Sequence, residues 1–126
     1  MKMNYFVLGT NDMEASAQFY NALFESKGIR QTYSTERMTY WQGADFTFAI
    51  AEPFNTEPAT YGNGTMVGFR ADSVDDVQWL HAKVLELGGS CEGHPGLRGP
   101  MYSAYVRDLD DNKLAFYIEN PQGAHA

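Results

Sequence analysis

Intramolecular disulfides are excluded at the outset, because the 126-residue chain has one cysteine, Cys91. Long apolar runs are also missing, and nothing approaches the roughly 18 to 20 residues that a membrane span needs. Met1 to Thr10 is a short alternating segment, without the charged-then-apolar form of a signal peptide. These absences predict a cytoplasmic protein. Basic residues are scarce, 9 Lys and Arg against 16 acids, for a net charge of -7. Arg30, Arg37, Arg70, Arg98 and Arg107 are scattered along the chain, so nucleic acid and anionic membranes are not expected partners. Histidine is rare too: His81, His94 and His125 form no HxH, HxxxH or HExxH pair.

What is present is a globular composition, 44% hydrophobic and 14% aromatic, enough for one domain with a real core. "MNYFVLG" alternates as a strand does, with Phe6 and Leu8 on one face and Tyr5 and Val7 on the other. "TNDMEAS" supplies N-cap residues for a helix that carries Met13, Ala17, Tyr20 and Phe24 at helical spacing and stops near Gly28. Strands are predicted at about 30–35, 38–42 and 46–51. The Pro- and Gly-punctuated segment 53–63 reads as a linker. The pattern then restarts. "TMVGFRA" is a strand, and "DSVDDVQWLHAKVLELGG" is a capped helix with a stripe of Val74, Val77, Leu80, Val84 and Leu87. A short strand near Cys91, a loop "GHPGLRGP" and a hairpin around "RDLDDNK" follow.

Laying Tyr5 over Met66 aligns strand, capped helix and three strands twice. The fold class expected is therefore α+β: a βαβββ module at 1–52, the linker 53–63, a second module at 64–120 and a tail 121–126. Each helix covers one sheet face, leaving the other free for a shared concave surface.

The segments "FVLGTNDMEASAQFYNALF", "MVGFRADSVDDVQWLHAKVLELGG" and "YVRDLDDNKLAFYI", in that order, resemble the vicinal oxygen chelate superfamily of glyoxalase, bleomycin-resistance and extradiol-dioxygenase relatives. The turn in that family is usually Asp-Pro-Asp-Gly-Asn; Asp108, Asp110 and Asn112 match it, while Leu109 and Asp111 depart. The resemblance implies a single glyoxalase-like domain, often a homodimer. In metal-dependent members it also implies four inward ligands, whose places here hold Tyr5, Ala49, Met66 and Ala115. Methionine and alanine offer no donor to a hard divalent ion, and a lone phenol cannot hold one. No metal and no cofactor is therefore expected.

Strand parity places Tyr5, Val7, Ala49, Met66, Gly68, Arg70, Ala115 and Tyr117 on the concave face, and Arg98 and Tyr102 on a flap beside it. These ten are the expected lining of a ligand cleft; no catalytic residue is assigned. His81 reads as solvent-facing, His94 as a loop residue, and Cys91 as an inert buried or edge cysteine beyond a helix C-terminus. Glu119 and Glu52 read as solvated strand-end acids, and Asp108, Asp110 and Asp111 as turn residues bonding their own backbone. Three functions stay open. One is a metal-free binder of a small aromatic or anionic molecule. Another is a lyase, isomerase or dioxygenase-like enzyme, with a relocated metal or with Tyr5 or Tyr117 as acid/base. The third is an interaction domain with a filled cleft.

Overall fold

The computed structural model describes residues 1–119. The tail beyond, with His125, lies outside the described residues. Two compact units divide the chain, Met1–Tyr61 and a second beginning at Gly62. The first contains β1 (Tyr5–Gly9), α1 (Met13–Phe24), β2 (Arg30–Ser34), β3 (Met38–Gln42) and β4 (Thr47–Ala51). The second contains β5 (Met66–Arg70), α2 (Val74–Glu86), β6 (Ser90–Arg98), β7 (Met101–Arg107) and β8 (Lys113–Glu119). The sheets are ordered β1-β4-β3-β2 and β5-β8-β7-β6. In each, the first and last strands of the module pair in parallel at one side and the rest are antiparallel. The fold is thus α+β, with two βαβββ modules.

Local chemistry starts and stops both helices. Asp12 caps α1 by accepting from the Ala15 N–H at 3.1 Å, and Ser73 caps α2 by accepting from Asp76 at 3.0 Å. After α1 a single 3₁₀ turn, Glu25–Lys27, ends at Gly28, whose φ of 72° suits glycine. In the first unit α1 lays Phe19, Tyr20, Leu23 and Phe24 on Leu8, Trp41, Phe48 and Ile50, all buried. The Trp41 indole N–H donates to Asn21 Oδ1 at 2.9 Å, so its polar atom is satisfied inside the core. In the second unit Val77, Leu80 and Val84 meet Ala104, Val106, Leu114 and Phe116.

The expected strand parity holds. Leu8, Leu114 and Phe116 are buried and Phe6, Val67 and Phe69 half-buried, whereas Tyr5 is 52% and Met66 48% exposed. The acidic turn closes on itself as expected. Asp108 Oδ1 accepts from the backbone of Asp110 and Asn112 at 2.8 and 2.9 Å, and its Oδ2 accepts from Asn112 Nδ2 at 3.0 Å. "GHPGLRGP" is not a loop, because β6 runs unbroken to Arg98 and only Gly99 and Pro100 turn. A proline is tolerated there because β6 is an edge strand, and its pairing with β7 shifts register between Cys91 and Gly93 and again between Gly93 and Gly96.

Candidate functional site

The open face of the first sheet, away from α1, is aromatic. Val7, Ala49, Tyr40 and Tyr33 follow one another across the paired strands. Ala49 is fully buried and too small to separate its neighbours, so Tyr5 stacks on Tyr40 with centroids 6.2 Å apart. Tyr33 continues the row at 5.9 Å from Tyr40. Tyr40's phenol is held above its ordinary value, chiefly by its hydrogen bond with Tyr5 and then by desolvation, with Arg37 opposing.

The open face of the second sheet is cationic. Met66, Gly68 and Arg70 on β5 stand beside Lys113, Ala115 and Tyr117 on β8, followed by Arg107, Tyr105 and Ser103 on β7. Arg98 and Lys113 sit 5.1 and 5.2 Å from the centroid of the Tyr105 ring. Arg98 also donates to the carbonyls of Ser103 and His94, which pins it on the sheet instead of leaving it on a flap. The room above Gly68 is taken by the Tyr117 ring, 3.6 Å from where a Cβ would stand. The bases that look scattered along the chain are brought together here: Arg70, Arg98, Arg107 and Lys113 share this face. Arg107 is already engaged, with Glu92 at 2.8 Å.

Tyr102 does not join them. Its ring is buried on the α2 side, where its hydroxyl accepts from Gln78 Nε2 at 2.9 Å. It pairs opposite Ile118, one residue out of phase with Tyr117, so it faces the other way. Two surface hollows of the first unit, one lined by Thr10, Arg37 and Glu52 and the other by Gln18, Asn21 and Arg30, include none of the ten expected lining residues.

A second constellation lies on the α2 side of the second sheet. His81 is not solvent-facing. It is buried with Val77, Leu80 and Val84, one turn from Val77 and just under one from Val84. Its Nε2 stands 3.1 Å from Cys91 Sγ, which in turn lies 3.8 Å from His94 Nδ1. The ligand atoms of the three all fall within 4.8 Å of one another. Burial and then the neighbouring His94 push the His81 pKa down, favouring the neutral imidazole. In a regular strand Cys91 and His94 would face opposite ways. The extra residue of the bulge between Cys91 and Gly93 returns His94 to the side of Cys91. The sequence carried half of this signal, since His81 falls on the helix stripe; the bulge carried the other half.

The glyoxalase/bleomycin resistance protein/dioxygenase superfamily profile matches residues 2–116. A glyoxalase/bleomycin resistance protein from Albidiferax ferrireducens T118 is 36% identical, with a TM-score of 0.85 over 93% of this chain and 98% of that one. A hypothetical protein from S. aureus is 27% identical, with a TM-score of 0.77 over 94% of both chains. A lactoylglutathione lyase from Agrobacterium tumefaciens, 18% identical with a TM-score of 0.73 over 97% of this chain and 96% of that one, shares the fold. No curated protein matches the chain. The chain belongs to the glyoxalase/bleomycin resistance protein/dioxygenase superfamily. No helix among the described residues is long and apolar enough to cross a membrane.

Proposed function

We propose that the protein binds a small anionic molecule on the open face of its second sheet, with no metal at the four family positions. One observation carries this reading: Arg98 and Lys113 flank the Tyr105 ring on a face that also holds Arg70. Guanidinium and ammonium groups beside an aromatic surface suit a carboxylate or phosphate on a flat organic body. The four bases on this face outnumber its acids, Glu92 bound to Arg107 and Glu119 in phase with Lys113, so a counter-charge suits it better than a neutral ligand. The four positions at which metal-dependent members of the family carry ligands hold Tyr5, Ala49, Met66 and Ala115, which leaves ligand recognition to side chains. A homodimer belongs to this reading, as does a binding or sequestering role without turnover.

A second reading rests on the row of Tyr5, Tyr40 and Tyr33, which offers a stacking surface to a neutral aromatic compound. A thermal-shift screen of aromatic carboxylates, their amides and the parent hydrocarbons separates the two. The first reading expects carboxylates alone to raise the melting temperature, with the effect lost in Arg70→Ala and Lys113→Ala and weakened by salt. Equal stabilisation by amides and hydrocarbons, lost in Tyr33→Ala, establishes the second reading instead. Turnover of a bound compound would move the protein to the enzymes of the family.

A further inference from the structure

We propose that His81, Cys91 and His94 form a binding site for a borderline-soft divalent cation of the zinc class. The site lies on the α2 side of the second sheet, away from the four positions that the family uses. The expectation of a metal-free chain rested on those four positions and on His81 and His94 being a solvent-facing and a loop residue; the fold instead buries His81 and gathers it with Cys91 and His94.

The donor set is two imidazoles and one thiolate, the combination that zinc prefers over oxygen-seeking ions such as magnesium or calcium. Spacing agrees with the chemistry. Tetrahedral zinc at about 2.0 to 2.1 Å from nitrogen and about 2.3 Å from sulfur requires N···S edges near 3.6 Å and an N···N edge near 3.3 Å. The two N···S separations here are 3.1 and 3.8 Å, on either side of that value, and no pair of the three donor atoms exceeds 4.8 Å. Side-chain torsions alone can close the remainder, because Cys91 is only partly buried and His94 is exposed.

The scaffold presents the three donors from two rigid elements. His81 is fixed by the apolar stripe of α2, and the bulged edge strand β6 brings Cys91 and His94 to one side. Burial falls from His81 through Cys91 to His94, so the group opens toward solvent on the His94 side. Three protein ligands with an open side leave a fourth position for water. The adjacent carboxylate of Glu92 is bound to Arg107 at 2.8 Å and is not counted as a donor. Binding replaces water on the ion by the Cys91 sulfur, and the thiol proton passes to solvent, so one proton is released for each ion bound.

The test uses the untagged, reduced, full-length chain, stripped with chelator and titrated with Co²⁺ and then Zn²⁺. The expected result is one Co²⁺ per chain with a thiolate-to-cobalt charge-transfer absorption, displaced by Zn²⁺. Zn²⁺ should also protect Cys91 from iodoacetamide. Cys91→Ser should abolish the charge-transfer band. His94→Ala should weaken binding at least about tenfold, since losing a direct ligand costs no less than losing an outer-shell partner. Both changes fall outside the buried core, and circular dichroism checks that each variant is folded. His81 is left intact because it is buried. Failure of the stripped chain to bind Co²⁺ overturns the proposal. So does a band that survives in Cys91→Ser. Rapid alkylation of Cys91 that Zn²⁺ does not slow also overturns it, and makes the pair a thiol–imidazole nucleophile instead.

Discussion

Tyr5 and Tyr40 stack across the strand that separates them, with ring planes 19° apart and centroids at 6.2 Å. The contact exists because β4 places Ala49 and Thr47, both small, between β1 and β3. It couples the two phenols: the hydrogen bond with Tyr5 keeps the Tyr40 proton on beyond its ordinary value of 10.0. The folded chain therefore holds this proton more tightly than the unfolded one. Its contribution to stability is complete below 10.0 and is lost as pH rises through the folded value. In NMR titration of ring-labelled tyrosine, Tyr40 should ionise above its ordinary value, and Tyr5→Phe should move it back down. An unchanged Tyr40 titration in Tyr5→Phe would refute the coupling.

Phe48 should be the costliest single truncation in the first unit. Its ring is fully buried and lies 4.8, 5.6 and 6.1 Å from those of Tyr20, Phe24 and Trp41. Phe48→Ala should lower unfolding free energy by about 3 to 5 kcal/mol in urea titration. Tyr33→Ala, at a 62% exposed position, should cost no more than about 0.5 kcal/mol. Comparable losses for the two would mean that the helix-side core is wrongly assigned.

Asp108 should matter to folding far more than its acidic neighbours. It is buried, and its carboxylate takes three hydrogen bonds inside the turn. Asp108→Ala removes the acceptor of three hydrogen bonds, two of them from Asn112, and should cost about 3 kcal/mol. Asp111→Gly should be neutral or mildly stabilising, because Asp111 already has a φ of 64°. A stable Asp108→Ala protein would show that the turn is held by other contacts.

Asn11 pins the linker to its own unit. Its amide oxygen accepts from the Ala59 N–H at 2.7 Å, and its Nδ2 donates to the Ala59 carbonyl at 3.1 Å. Asn11→Ala should raise the rate of proteolytic cleavage within 53–61 severalfold while shifting overall stability by only about 1 kcal/mol. Unchanged cleavage would mean that the segment is held elsewhere.

Much of the architecture is legible in the sequence, for a physical reason. Alternation, helical stripes and capping residues are local, and the repeat presented each of them twice. That is why Asp12 and Ser73 were legible as caps, Gly28 as a stop, and Tyr5 and Met66 as faces turned from the helices. The Asp108 turn was legible too, since its bonds span only four residues.

Sequence by itself thus determined the two βαβββ modules and the sheet faces. Tertiary structure decided where the chemistry gathers. Four bases spread along the chain, from Arg70 to Lys113, reach one face because β5, β8, β7 and β6 pair side by side. Tyr102 turned to the helix side because its strand phase differs from that assumed for a flap. His81, Cys91 and His94 met because a helix packed on an edge strand and a single bulged residue reversed the parity of His94. Bulges and strand neighbours are set by nonlocal hydrogen bonding, which no window of sequence contains.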